Sequence, residues 1–129
     1  MKKLSVILPS IDPSKWINLY QMIQKSVGEH SFEVIACGPL FPSIELQVAA
    51  NFRYIREFSC PSRAFMVAAN VADAEYITWF PDDCIIIENT LKECIDLLDS
   101  KTKNDGLTIL YSEGPNFSGN QHLESERWY

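Results

Sequence analysis

The strongest constraint on this chain is a change of hydrophobic period that repeats along it. Leu4-Ser5-Val6-Ile7-Leu8 is a short, β-branched, nearly continuous apolar run closed by Pro9, which is how a strand buried on both faces reads. From Pro13 the period lengthens. Trp16, Leu19, Tyr20, Ile23 and Val27 recur at helical spacing, with Asp12 or Ser14 able to cap, Pro13 tolerated in the first turn and Gly28 marking the end. The alternation then repeats. Strands are predicted at 32–37, 52–56, 76–80 and 107–111, a small-residue helix after Pro61, and a helix through Leu91, Cys94, Ile95 and Leu98 opened by a Thr90-x-x-Glu93 capping box. Residues 38–48, with Pro39, Pro42 and Ser43, read as a loop.

Strands alternating with helices connect through right-handed crossovers. The expected architecture is therefore α/β: a three-layer sandwich around a mainly parallel sheet, of Rossmann-like type. With 129 residues the chain makes one domain and can bury a core without disulfides or metal staples. Residues 1–111 carry the pattern, and 112–129 read as an irregular tail.

Several function classes fall away on composition. Seventeen acidic residues against eleven basic ones give a net charge of −6, and Lys2-Lys3 is the only adjacent basic pair, so no basic stripe for nucleic acid is present. No apolar run approaches the ~20 residues of a transmembrane helix. The apolar stretch after Lys2-Lys3 is too short for a signal peptide and runs into Pro9 and Asp12. The four cysteines include no C-x-x-C spacing, and Cys37 and Cys94 lie inside apolar patterns as small hydrophobes, so a reducing cytoplasm is the expected location.

Ligands of parallel sheets bind beyond the C-terminal strand ends, at a topological switch point. The segments to inspect are Pro9–Asp12, Cys37-Gly38 and Pro81–Cys84. No Walker loop and no G-x-G-x-x-G is present. Asp82-Asp83, directly after a strand, are two adjacent carboxylates that a hard divalent ion would compensate, and such an ion would also bind a diphosphate. The same pair also suits a solvated turn. His30 and His122 are isolated and read as solvent-exposed bystanders, Cys84 as strand-edge packing, and the aromatics Trp16, Tyr20, Trp79 and Phe80 as core-facing. A receiver-type regulatory domain would need a Lys after the fifth strand, where Tyr111-Ser112-Glu113 supplies none.

The order of these pieces resembles the N-terminal half of family 2 glycosyltransferases, which have the GT-A fold. Leu4 to Asp12 resembles that family's opening strand and its P-T-Y-N turn. Leu19 and Ser26 match the spaced Leu and Ser of the next helix, and Phe32-Glu33-Val34-Ile35 the second strand. Ala72 to Asp83 resembles A-x-G-E-Y-I leading into the acidic metal-binding motif, and Leu91 lies in a helix that fits the segment after it. The resemblance covers about residues 3–111. It implies a domain that binds a nucleotide-diphosphate sugar donor and, with Mn2+ or Mg2+, transfers the sugar with inversion to an unidentified acceptor. Asp83 would hold the metal, and Asp82 would contact ribose or sugar. Pro9, Ser10, Ile11 and Asp12 would cradle base and ribose through backbone groups, with Gly38 and Arg63 completing the donor site.

The chain departs from the pattern at three places. Cys37-Gly38-Pro39-Leu40 stands where the family has an acidic turn contacting the base. Phe65-Met66 stands where it has Arg-Asn, with Arg63 displaced. Cys84 stands at the third position of the acidic motif. The family's acceptor-binding half follows this region and usually carries the general base, so that base is expected outside residues 1–129. The alternative expectation is a non-catalytic or truncated GT-A-like binding or assembly module.

Overall fold

The computed structural model describes residues 1–101 and 106–107, and within them the first four predicted strands and the predicted helical stripes are formed. In chain order these are β1 (Lys2–Pro9), a single 3-10 turn (Pro13–Lys15), α1 (Trp16–Ser26), β2 (Phe32–Gly38), the four-residue α2 (Ile44–Gln47), β3 (Phe52–Arg56), α3 (Pro61–Ala69), β4 (Ala74–Trp79) and α4 (Thr90–Asp99). The four strands form one all-parallel sheet in the order β3-β2-β1-β4. The expected fifth strand, apart from Leu107, lies outside the described residues, as do the tail and His122.

The position of each strand explains its pattern. β1 pairs with β2 on one side and β4 on the other, Val6 facing Val34 and Thr78 across the two ladders. It is buried from Leu4 to Leu8 on both faces, hence its unbroken apolar run. β4 is the last strand among the described residues and alternates between half-buried and exposed. On one face Leu4, Val6, Leu8, Val34, Ala36 and Phe52 pack against Trp16, Leu19 and Ile23 of α1, Leu46 of α2, and Leu91 and Ile95 of α4. On the other, Ile7, Ile35 and Cys37 meet Ala64 and Ala68 of α3. The small residues of α3 let that helix lie close on the sheet.

Four local expectations are corrected. Residues 44–47 of the expected loop form α2. Trp79 is 55% exposed rather than core-facing: α3 packs mainly on β1 and β2 and meets Trp79 through the edge-to-face ring of Phe65, which leaves half of the indole uncovered. Thr90 is the first residue of α4 and not its cap. The Leu91 N–H donates instead to Ser26 Oγ (3.0 Å), and that hydroxyl donates to the Ile87 carbonyl (2.7 Å), so α1 supplies the cap across the helix interface. His30 is not a bystander: its Nε2 lies 2.7 Å from Asp96 Oδ1 and its side chain is mostly buried. Gly28 ends α1 as expected, in the left-handed region at φ +60°.

The end of the sheet opposite the candidate ligand end holds a buried charge. The Glu33 side chain is fully buried near the start of β2. Its Oε1 accepts from Ser5 Oγ (2.6 Å) and from the Asp73 backbone N–H (2.8 Å). Its Oε2 faces Arg53 Nη2 (2.8 Å) and Lys2 Nζ (3.3 Å). One carboxylate thus ties β1, β2, β3 and the start of β4 together. Burial pushes its pKa up, but these hydrogen bonds and the two cations outweigh burial and leave it below the usual carboxylate range.

Candidate functional site at the C-terminal strand ends

The chain runs β1, β2, β3 outward in one direction, with α1 and α2 on one face. It then returns under the other face through α3 to place β4 beside β1. The connection therefore changes direction between β1 and β4, and their C-terminal ends are the switch point of the sheet. Ser10 follows β1 there and Asp82 follows β4.

These two residues meet. Ser10 Oγ donates to Asp82 Oδ2 at 2.6 Å. The same oxygen accepts from the Trp16 indole N–H (2.8 Å) and from the Asp12 backbone N–H (3.1 Å). With both acceptor positions filled by N–H groups, the hydroxyl proton points to Asp82, and the polarity of the bond is set. The Ser10 N–H donates to the Cys37 carbonyl (3.0 Å), so Ser10 is saturated and nearly buried.

Gly38 is required by space. A Cβ there would stand 1.9 Å from the Ser10 carbonyl oxygen, so only glycine lets the ends of β1 and β2 approach this closely. The Gly38 carbonyl accepts from Tyr54 Oη (2.8 Å) and the Glu57 N–H (3.0 Å). Asp12 caps the 3-10 turn, its Oδ1 accepting from the Ser14 N–H (3.1 Å) and hydroxyl. The Ser14 hydroxyl above all holds the Asp12 carboxyl below its usual range, against a smaller push from desolvation.

Of the sequence-assigned residues, Ser10, Asp12, Gly38 and Asp82 are joined directly or through one another. Pro9 ends β1 opposite Cys37, and Ile11 projects into solvent at 74% exposure. Asp83 is exposed in the turn beside Asp82. Arg63, in the first turn of α3, is exposed, with its Nε 3.8 Å from Glu57 Oε2. Cys84 is half-buried, and burial, with the Asp83 and Asp82 charges, pushes its thiol up to about 11, which makes it a poor nucleophile.

Two contributors escaped the sequence reading. Trp16 is buried in the core, as its stripe implies, yet its indole N–H also orients Ser10. Lys15 places Nζ 3.7 Å from Asp82 Oδ1 and 3.8 Å from Asp12 Oδ2. Their only signal was proximity to Asp12. Among the described residues no three His, Cys, Asp or Glu side chains group as a ready-made metal cage. Mg2+ and similar ions commonly take one or two carboxylates and complete their shell with phosphate oxygens and water, and the Asp82-Asp83 turn offers that many. No helix among the described residues is long and apolar enough to cross a membrane.

No protein-family model matches the chain, and no curated protein matches it in sequence.

Proposed function

We propose that this chain is the nucleotide-sugar-binding part of a glycosyltransferase of GT-A type, its sheet and helices forming that fold's three-layer sandwich. The Ser10–Asp82 bond at the switch point between β1 and β4 carries the reading, because it joins the residue after the first strand to the acidic motif where an α/β sheet binds its ligand. In this reading Pro9, Ser10, Ile11 and Asp12 line the base and ribose side of the site, with Gly38 and Arg63 at its margin. Asp82, held by Ser10, faces ribose or sugar. Asp83 holds Mn2+ or Mg2+, and when bound the ion supplies Lewis-acid stabilisation of the departing nucleoside diphosphate. The general base for inverting transfer is assigned to no described residue, so the chain by itself transfers no sugar, and the absence of a carboxylate at Cys37-Gly38 with the displaced Arg63 makes its donor binding weak. The cytoplasm remains the proposed location.

A second reading, a non-catalytic binding or assembly module of the same fold, is favoured by one observation. Cys37 is fully buried and the Gly38 carbonyl is occupied, so the turn after β2 presents no carboxylate to a base.

Calorimetric titration of residues 1–129 with uridine, guanosine, adenosine and cytidine diphosphates, with Mn2+ and with chelator, separates the readings. The donor-site proposal expects one nucleotide to bind more tightly with Mn2+, and Asp83→Ala to remove that increment while the far-UV circular dichroism stays unchanged. Absence of binding by all four nucleotides refutes it. An increment that survives Asp83→Ala refutes the metal role of Asp83.

A further inference from the structure

We propose that Lys15 is a resident phosphate-binding cation of this site, giving it an affinity for diphosphate that needs no divalent ion. The inference deepens the donor-site reading and rests on it for the nucleotide, but not for the diphosphate.

The basic residues of the chain are used in different ways. Lys3 Nζ lies 2.7 Å from Asp99 and 2.8 Å from Glu75, and Lys92 Nζ 2.6 Å from Asp96, all direct hydrogen bonds. These lysines are consumed in tying elements together. Lys15 differs. Its ammonium stands between the Asp12 and Asp82 carboxylates at 3.8 and 3.7 Å, beyond the roughly 2.7–3.2 Å of an N–H···O bond. It is held by charge at distances longer than a direct hydrogen bond, and its side chain is 46% exposed.

The neighbouring residues fix the place of that charge. Asp12 is anchored by the Ser14 hydroxyl and N–H, and Asp82 by Ser10, itself locked by Trp16. The two carboxylates are set in position, and the ammonium between them follows. An ammonium placed between two carboxylates at the strand ends sits where a bound cation would sit. A diphosphate arriving there meets three carboxylates offset by one ammonium, and Lys15 can turn a donor to it without giving up a direct hydrogen bond. Without that ammonium, Asp12, Asp82 and Asp83 would present three negative charges to an anionic ligand.

The inference divides diphosphate binding into two parts: one carried by Lys15 and present in chelator, one added by metal at Asp83. Titrations in EDTA at low ionic strength, where screening is weak, use two probes: inorganic pyrophosphate and the tightest nucleoside diphosphate from the panel. Wild type is compared with Lys15→Gln, Lys15→Arg and, as control, Lys25→Gln on the exposed side of α1. Both probes are expected to bind in EDTA. Lys15→Gln should weaken each about tenfold, the loss of one charge-assisted hydrogen bond, while leaving the Mn2+ increment in place. Lys15→Arg should retain most of the affinity, and Lys25→Gln should match wild type.

Pyrophosphate binding that depends on Lys15, with no gain from any nucleoside, supports the cation role and refutes the nucleotide reading. Binding seen only with Mn2+, or binding in EDTA unchanged by Lys15→Gln, overturns the inference and leaves the donor-site reading intact. No binding of either probe in either condition overturns both.

Discussion

Removing the Glu33 carboxylate tests whether a single buried charge holds this sheet together at its N-terminal end. The side chain is 0% exposed and touches four partners, on β1, β3 and the turn before β4. Glu33→Ala strips acceptors from two inward-facing donors, Ser5 Oγ and the Asp73 N–H, each costing ~1–3 kcal/mol when left unpaired. Arg53 and Lys2 are 42% and 36% exposed and can turn to water, so they add little to the loss. A cost of ~4 kcal/mol results, within the ~3–5 expected when one partner of a buried pair is removed and a large share of the ~5–15 a domain possesses. Glu33→Gln keeps an acceptor for Ser5 and Asp73 but turns an amide NH2 toward the cations, and should cost ~2 kcal/mol.

The pH dependence follows from the sign of the shift. The folded pKa is depressed, so the carboxylate's contribution is fully present above the unfolded Glu value of ~4.3 and is lost as pH falls through the lower folded value. Urea unfolding followed by circular dichroism and tryptophan fluorescence should show the gap between wild type and Glu33→Gln constant from pH 8 to 5 and closing below pH ~4. A Glu33→Ala variant within ~1 kcal/mol of wild type at pH 7, or a gap that does not change on acidification, would refute the reasoning.

Three further outcomes are expected. Gly38→Ala should cost ~3 kcal/mol or more, since its Cβ must push the Ser10 carbonyl away, and thermal unfolding will show a large drop in Tm; a Tm within a degree of wild type would contradict the close approach. Ser10→Ala leaves the Trp16 indole and Asp12 N–H without their acceptor and frees Asp82, so both stability and diphosphate affinity should fall, whereas Ser10→Thr, which keeps the hydroxyl, should retain part of each. Iodoacetamide at pH 8 should label the exposed Cys60 first, with buried Cys37 and Cys84, whose thiol lies near 11, far slower; mass spectrometry of the digested protein reads the order, and Cys84 labelled ahead of Cys60 would overturn the burial argument.

The sequence by itself determined the elements and their kind. β-branched runs such as Leu4–Leu8 and 3.6-period stripes such as Trp16–Val27 are set by which side chains can share one face of a strand or a helix, and that preference is local. It also pointed to these strand ends, because strand ends in a parallel sheet can be counted from the same pattern, and Ser10, Asp12, Gly38 and Asp82 do meet there. Tertiary structure decided what lies across each face. Trp79 follows a core-like alternation but ends up half exposed, since nothing in its own strand records how much of this face α3 covers. Ser26 caps α4 from α1, a partnership across 65 residues that displaces the local Thr90 cap. Glu33 reads as one polar residue in an apolar strand, and only the pairing of four distant segments makes it a buried clamp. Lys15 gains its place between Asp12 and Asp82 because β4 returns beside β1, and no periodicity in the chain encodes that return. Period reports which face of an element is apolar; contacts between segments far apart in the chain decide what that face, and every charge on it, will meet.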